Sequence, residues 1–99
     1  MSEELRRQLI DTALEMNRSG INQGTSGNLS VRMGEGMLIT PSGIPYPALV
    51  PRDIVYVDHS GKSDGSRKPS SEWRIHSDIY KAREDARAIL HAHPAECVA

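Results

Sequence analysis

The sequence predicts a layered α/β or α+β fold on three observations. An opening stretch repeats apolar residues at helical spacing, a middle stretch alternates short β-branched runs with glycine turns, and a second helical stretch leads into an apolar strand. From Glu3 to Ser19, Leu5, Leu9, Ile10, Ala13, Leu14 and Met16 form one stripe at the 3.6-residue period. Ser2 suits the N-cap, Glu3 and Glu4 suit the positive end of the helix, and Gly20 sits where a left-handed cap would end it. From Ile21 to Ser30 the chain turns to Asn, Gln, Gly, Thr and Ser and reads as an irregular loop, overlapping the first strand.

Asn28 to Met33 and Met37 to Thr40 read as two strands joined by a turn at Gly34, Glu35 and Gly36. Pro41 to Pro45 reads as a loop, and Asp53 to Val57 as a third strand. Asp58, His59, Ser60 and Gly61 carry turn chemistry, with a hairpin-like return near Lys62. Ser63 to Pro69 reads as a solvated connection. Ser70 and Ser71 suit the cap of a helix over Glu72 to Arg83, with Ile75, Ile79 and Ala82 on its apolar face and Trp73 and His76 nearby. Ala86 to Ala92 reads as a strand central to a sheet, and Pro94 suits the first turn of a further helix.

The composition narrows the partners. The chain has 99 residues, 12 basic and 13 acidic, a formal net charge of -1, and 37% hydrophobic residues without Phe. That amounts to one small, thinly cored domain at most. Balanced charge removes the electrostatic footprint of a nucleic-acid or anionic-membrane binder. Cys97 is the single cysteine, so no intrachain disulfide forms, and no apolar run approaches a membrane span or opens like a secretory signal. A cytoplasmic protein is expected.

His91 and His93 flank Ala92 on the last strand, where a period of two puts both imidazoles on one face, a metal-ligand spacing that also fits a hydrogen-bonded pair. Glu72, in the first helical turn, suits an acid/base, a ligand, or an ordinary helix-start glutamate paired with His76. His59 and His76 read as structural, and Cys97 as a small core residue. Three loops offer small residues and backbone N–H groups to an anion: Gly27 with Asn28, Ser42 with Gly43, and Ser70 with Ser71. Helix capping competes for the serine pair.

Four ordered segments then stand out: the 22–32 stretch NQGTSGNLSVR, the 38–46 stretch LITPSGIPY, the 68–74 stretch KPSSEWR and the 91–94 stretch HAHP. Together they resemble the class II aldolase/adducin family, on the branch whose members cleave fuculose- or ribulose-type ketose 1-phosphates. The resemblance implies a three-layer α/β/α fold around a mixed, largely antiparallel sheet. It implies a phosphate site at Gly27, Asn28, Ser42, Gly43, Ser70 and Ser71, with Ser42 where relatives often carry Thr. It also implies Zn²⁺ at His91 and His93 and Glu72 as general acid/base.

The activity so implied is that of a lyase yielding dihydroxyacetone phosphate and an aldehyde, acting on a small-molecule sugar phosphate as a homotetramer. Within the family, a pentulose-phosphate 4-epimerase, a dehydratase and a non-catalytic adducin-like module are the alternatives. The family's downstream third zinc-binding histidine has no counterpart up to Ala99, so residues 1–99 are expected to form the N-terminal part of a single domain.

Overall fold

The apolar stripe near the N-terminus forms the helix it encodes. The computed structural model describes residues 2–20, 27–64 and 67–91, and in it α1 runs Ser2–Arg18. Leu9, Ile10, Ala13 and Met16 are buried, while Leu14, at the margin of the stripe, is exposed. Gly20 takes φ +83°, the left-handed cap expected of it. The Ser2 side chain, the 21–26 part of the polar loop and everything from Ala92 onward, Pro94 and Cys97 included, lie outside the described residues.

β1 (Asn28–Met33) and β2 (Gly36–Ile39) pair antiparallel with Met33 opposite Gly36, so the turn is the two residues Gly34 and Glu35, and Gly36 joins the strand. Gly36 cannot carry a side chain there, because a Cβ would lie 2.4 Å from the Val57 carbonyl oxygen. The third strand begins later than expected: β3 is Val55–Asp58. Asp53 instead closes a 3-10 turn at Pro51–Asp53, its N–H donating to Val50 O at 2.9 Å and its carboxylate accepting from Val50 N at 3.1 Å and Arg67 Nε at 3.2 Å. A second 3-10 turn, Tyr46–Ala48, precedes it. Neither turn has a hydrophobic period that sequence reading could detect. Asp58 Oδ1 gathers Ser60 Oγ, Ser60 N and Lys62 N, and this turn sends the chain back as the short β4 (Ser63–Asp64).

α2 (Trp73–Ala82) and β5 (Ala88–His91) complete the order β4-β3-β2-β1-β5, every pairing antiparallel. The layers are α1, sheet, α2. Leu29 and Leu38 pack with α1 and with Tyr46, Leu49 and Ile54; Met37, Ile39, Val55 and Val57 pack on the opposite face with Tyr80. This is the three-layer α/β/α architecture.

Two expectations are corrected here. The helix face toward the sheet is not Ile75 and Ile79, which are exposed, but His76, Ser77 and Tyr80 with Trp73 partly buried. These positions also obey helical spacing, and the sheet beneath them offers polar partners, so the more polar face turns inward. The last strand begins later than expected, at Ala88 rather than Ala86: β5 pairs with β1 in the described sheet, with Leu90 48% exposed.

Candidate active site

The ends of four elements meet at one end of the sheet. β1 opens at Asn28, β2 closes before the Pro41–Gly43 turn, α2 is preceded by Ser70–Glu72, and β5 ends at His91, directly opposite Asn28 in register. The loops after β2 and before α2 are held side by side by a bridge between Pro41 and Pro69, by Ser42 N donating to Lys68 O at 3.0 Å, and by Ser70 N donating to Thr40 O at 3.0 Å. The stretch read as a mere connection before Pro69 therefore helps build the site. Gly43 has φ +79°, a conformation that costs a glycine little.

The cavity between these loops has a volume of about 90 Å³ and is lined by Gly27, Asn28, Ser42, Gly43, Ser70 and Ser71, with Glu72 on its wall. One water needs roughly 10–15 Å³ of such space, so a group of several heavy atoms fits. All six residues expected at a phosphate site are thus brought together, beside the expected acid/base. Their donors are not equivalent. The N–H groups of Ser42 and Ser70 are spent within the protein, and Ser70 Oγ accepts from Glu72 N at 3.2 Å, fixing the entry to α2. Among the described residues, the N–H groups of Gly43 and Ser71 and the hydroxyls of Ser42 and Ser71 have no internal partner.

Glu72 does not pair with His76, four residues on, as an exposed helix pair would. Its Oε1 contacts His91 Nδ1 and accepts from Asn28 Nδ2 at 3.3 Å. His76 is 1% exposed and lies below, its Nε2 against Asn28 Oδ1 and its Nδ1 2.6 Å from Ser30 Oγ, which is 2.8 Å from the Tyr80 hydroxyl. Burial pushes the His76 pKa down to about 4; nearby His91 adds to this and Glu72 opposes it. Burial also raises the Tyr80 pKa, against its hydrogen bond to Ser30. This buried row of Ser30, His76 and Tyr80 was missed in the sequence. The available signal was the spacing 73, 76, 77, 80, which marks a helix face as well as 75, 79, 82 does.

Of the expected metal ligands, His91 reaches the site and His93 lies outside the described residues. Among the described residues no three metal-binding side chains gather. The contact between Glu72 and His91 supplies one carboxylate and one imidazole, donor types that zinc takes. His59 is outside the cavity lining.

Residues 7–99 match the family described as class II aldolase and adducin N-terminal domain. The chain is 54% identical over 96 residues to the L-fuculose phosphate aldolase of Escherichia coli (strain K12), covering 97% of this chain and 45% of that protein. It is 54% identical over 89 residues to the 5-methylthioribulose-1-phosphate/5-deoxyribulose-1-phosphate aldolase of Rhodospirillum rubrum, covering 90% of this chain and 40% of that protein. A solved L-fuculose 1-phosphate aldolase superposes with a TM-score of 0.89 at 39% identity, over 93% of this chain and 45% of that one. The chain therefore spans less than half the length of the relatives it matches.

Proposed function

The chain belongs to the class II aldolase and adducin N-terminal domain family, and from that premise we propose that it is the N-terminal part of a zinc-dependent aldolase. Its substrate is a ketose 1-phosphate of the fuculose- or ribulose-1-phosphate type, and its products are dihydroxyacetone phosphate and an aldehyde. One observation carries the proposal: a single cavity holds the six small and polar residues together with Glu72, and Glu72 touches His91. The names of the two relatives support the substrate class. Fuculose phosphate and 5-methylthioribulose 1-phosphate differ at the end remote from the shared phosphate, yet identity to the two aldolases is 54% in each case.

The residues take these roles. Gly27, Asn28, Ser42, Gly43, Ser70 and Ser71 form the phosphate pocket; the N–H groups of Gly43 and Ser71, which have no partner among the described residues, and the serine hydroxyls donate to phosphate oxygens. Binding energy spent on the phosphate fixes the orientation of the carbons to be separated. In the retro-aldol step the carbon-4 hydroxyl loses its proton, the bond between carbons 3 and 4 breaks, and its electron pair stays on the carbon-3 fragment, which then gains a proton. Glu72 holds and transfers the proton at carbon 3. His91 and His93 would hold a zinc ion, which would supply Lewis-acid stabilisation of developing negative charge.

Residues 1–99 are then the first part of one catalytic domain, in a cytoplasmic homotetramer. No helix among the described residues is long and apolar enough to cross a membrane. The test is incubation of the full-length protein with fuculose 1-phosphate and ribulose 1-phosphate, following dihydroxyacetone phosphate by coupled reduction. Chelator-sensitive release is expected. Consumption of a ketose phosphate without that product would identify a dehydratase or an epimerase instead.

A further inference from the structure

Four side chains connect the Glu72 carboxylate to the core: Asn28, His76, Ser30 and Tyr80. Asn28, Ser30, His76 and Tyr80 are each at most 3% exposed, so the row is closed to bulk solvent. With a neutral imidazole, which has one N–H, and one proton on each hydroxyl, the row can run in either of two directions.

In the first, the Tyr80 O–H donates to Ser30 Oγ, the Ser30 O–H donates to His76 Nδ1, the His76 Nε2–H donates to Asn28 Oδ1, and Asn28 Nδ2 donates to Glu72. In the second, every bond reverses. The Asn28 carbonyl then faces the Glu72 carboxylate, and the Tyr80 proton, turned away from Ser30, has no other side-chain acceptor among the described residues. With Glu72 ionised, the second setting sets two oxygens against each other and leaves a buried hydroxyl proton without a side-chain acceptor among the described residues, and the first has neither fault.

We propose that His76 is a positioning residue for Glu72: held in its Nε2–H form by Ser30 and Tyr80, it locks the Asn28 carboxamide with its NH₂ toward the carboxylate. The carboxylate is thereby held in one rotamer beside His91 with a fixed donor on Oε1. Burial holds the ring neutral, as the row requires, since an imidazolium donating from Nδ1 would leave the Ser30 proton with no side-chain acceptor among the described residues. The proposal rests on the acid/base role given to Glu72, and the experiment separates the two.

The full-length protein is compared with His76→Leu, which removes both bonds, and His76→Gln, whose carbonyl accepts from Ser30 while its NH₂ donates to Asn28. Two-bond ¹H–¹⁵N correlation spectra of histidine-labelled protein near neutral pH report the tautomer, and steady-state kinetics report kcat and KM. A protonated Nε2 and bare Nδ1 are expected for His76. His76→Leu is expected to lower kcat roughly tenfold or more with KM nearly unchanged, and His76→Gln to recover most of the loss. An Nδ1–H tautomer, or equal kcat in the Leu and Gln variants per folded molecule, overturns the proposal. If His76→Leu does not fold, the tautomer and a comparison of His76→Gln with wild type still decide it: a Gln variant that folds but loses as much as tenfold in kcat counts against it. A wild-type protein inactive on every ketose phosphate overturns the aldolase reading alone, and the tautomer then decides this one.

Discussion

The buried His76 makes the stability of this fold depend on pH in a calculable way. Its pKa falls from 6.5 in an unfolded chain to about 4 in the folded one. At about 1.4 kcal/mol per tenfold change in proton affinity, that is roughly 3 kcal/mol. The sign comes from which state binds the proton. Between pH 6.5 and about 4 the unfolded chain is protonated at this site and the folded chain is not, so stability is fully present above 6.5 and drains away as pH falls. Glu72 and His91 face the ring by way of Asn28, and their opposed influences are already contained in the folded value. Urea unfolding at a series of pH values measures the loss directly. His76→Gln, which has no proton to gain, is expected to flatten the wild-type slope across that window. Equal slopes for the two proteins would refute the assignment of a neutral, buried imidazole.

Three other contacts set further expected outcomes. Glu72→Gln is expected to lower kcat by about 10²–10⁴-fold while inorganic phosphate still binds, checked by kinetics and by phosphate titration. Gly36→Ala is expected to cost about 1–3 kcal/mol in chemical denaturation, because its Cβ would fall 2.4 Å from Val57 O and the backbone of β3 must move. Arg32→Met is expected to cost about 2–4 kcal/mol, read as a lower Tm. Arg32 donates to the carbonyls of Ala86, Tyr80 and Arg83 at 2.8, 2.9 and 2.8 Å, and its guanidinium stands 4.8 Å from the Tyr80 ring centre.

Some of this molecule was legible in its sequence for identifiable reasons. α1 was readable because its burial stripe is apolar and its cap is a glycine, so period and punctuation agree. The hairpin was readable because Gly34 and β-branched or long apolar flanks mark both turn and strands. α2 misled because its buried face is made of His76, Ser77 and Tyr80, and a hydropathy pattern ranks Ile75 and Ile79 above them. What decides the orientation there is a set of partners, Asn28 and Ser30, that lie 46 to 50 residues away in sequence. The residues expected at a phosphate site were individually weak because small polar residues cap helices and turn loops everywhere. Only their order in four motifs pointed to one pocket, and the fold brings them into it through the Pro41–Pro69 bridge. The division of labour within the pocket was invisible beforehand, since it depends on which N–H groups the loops consume for themselves.

Central to the proposed chemistry is that Glu72 moves a proton at the carbon that bore the departing aldehyde, and microscopic reversibility makes this testable without knowing which aldehyde that is. Dihydroxyacetone phosphate alone, incubated with the metal-loaded full-length protein in deuterated water, should exchange one hydrogen on its hydroxyl-bearing carbon, followed by proton NMR. Stereospecific exchange of a single hydrogen is expected of the wild type, and its loss in Glu72→Gln. No exchange by a wild-type protein that binds dihydroxyacetone phosphate, or undiminished exchange in Glu72→Gln, would contradict the role given to this carboxylate.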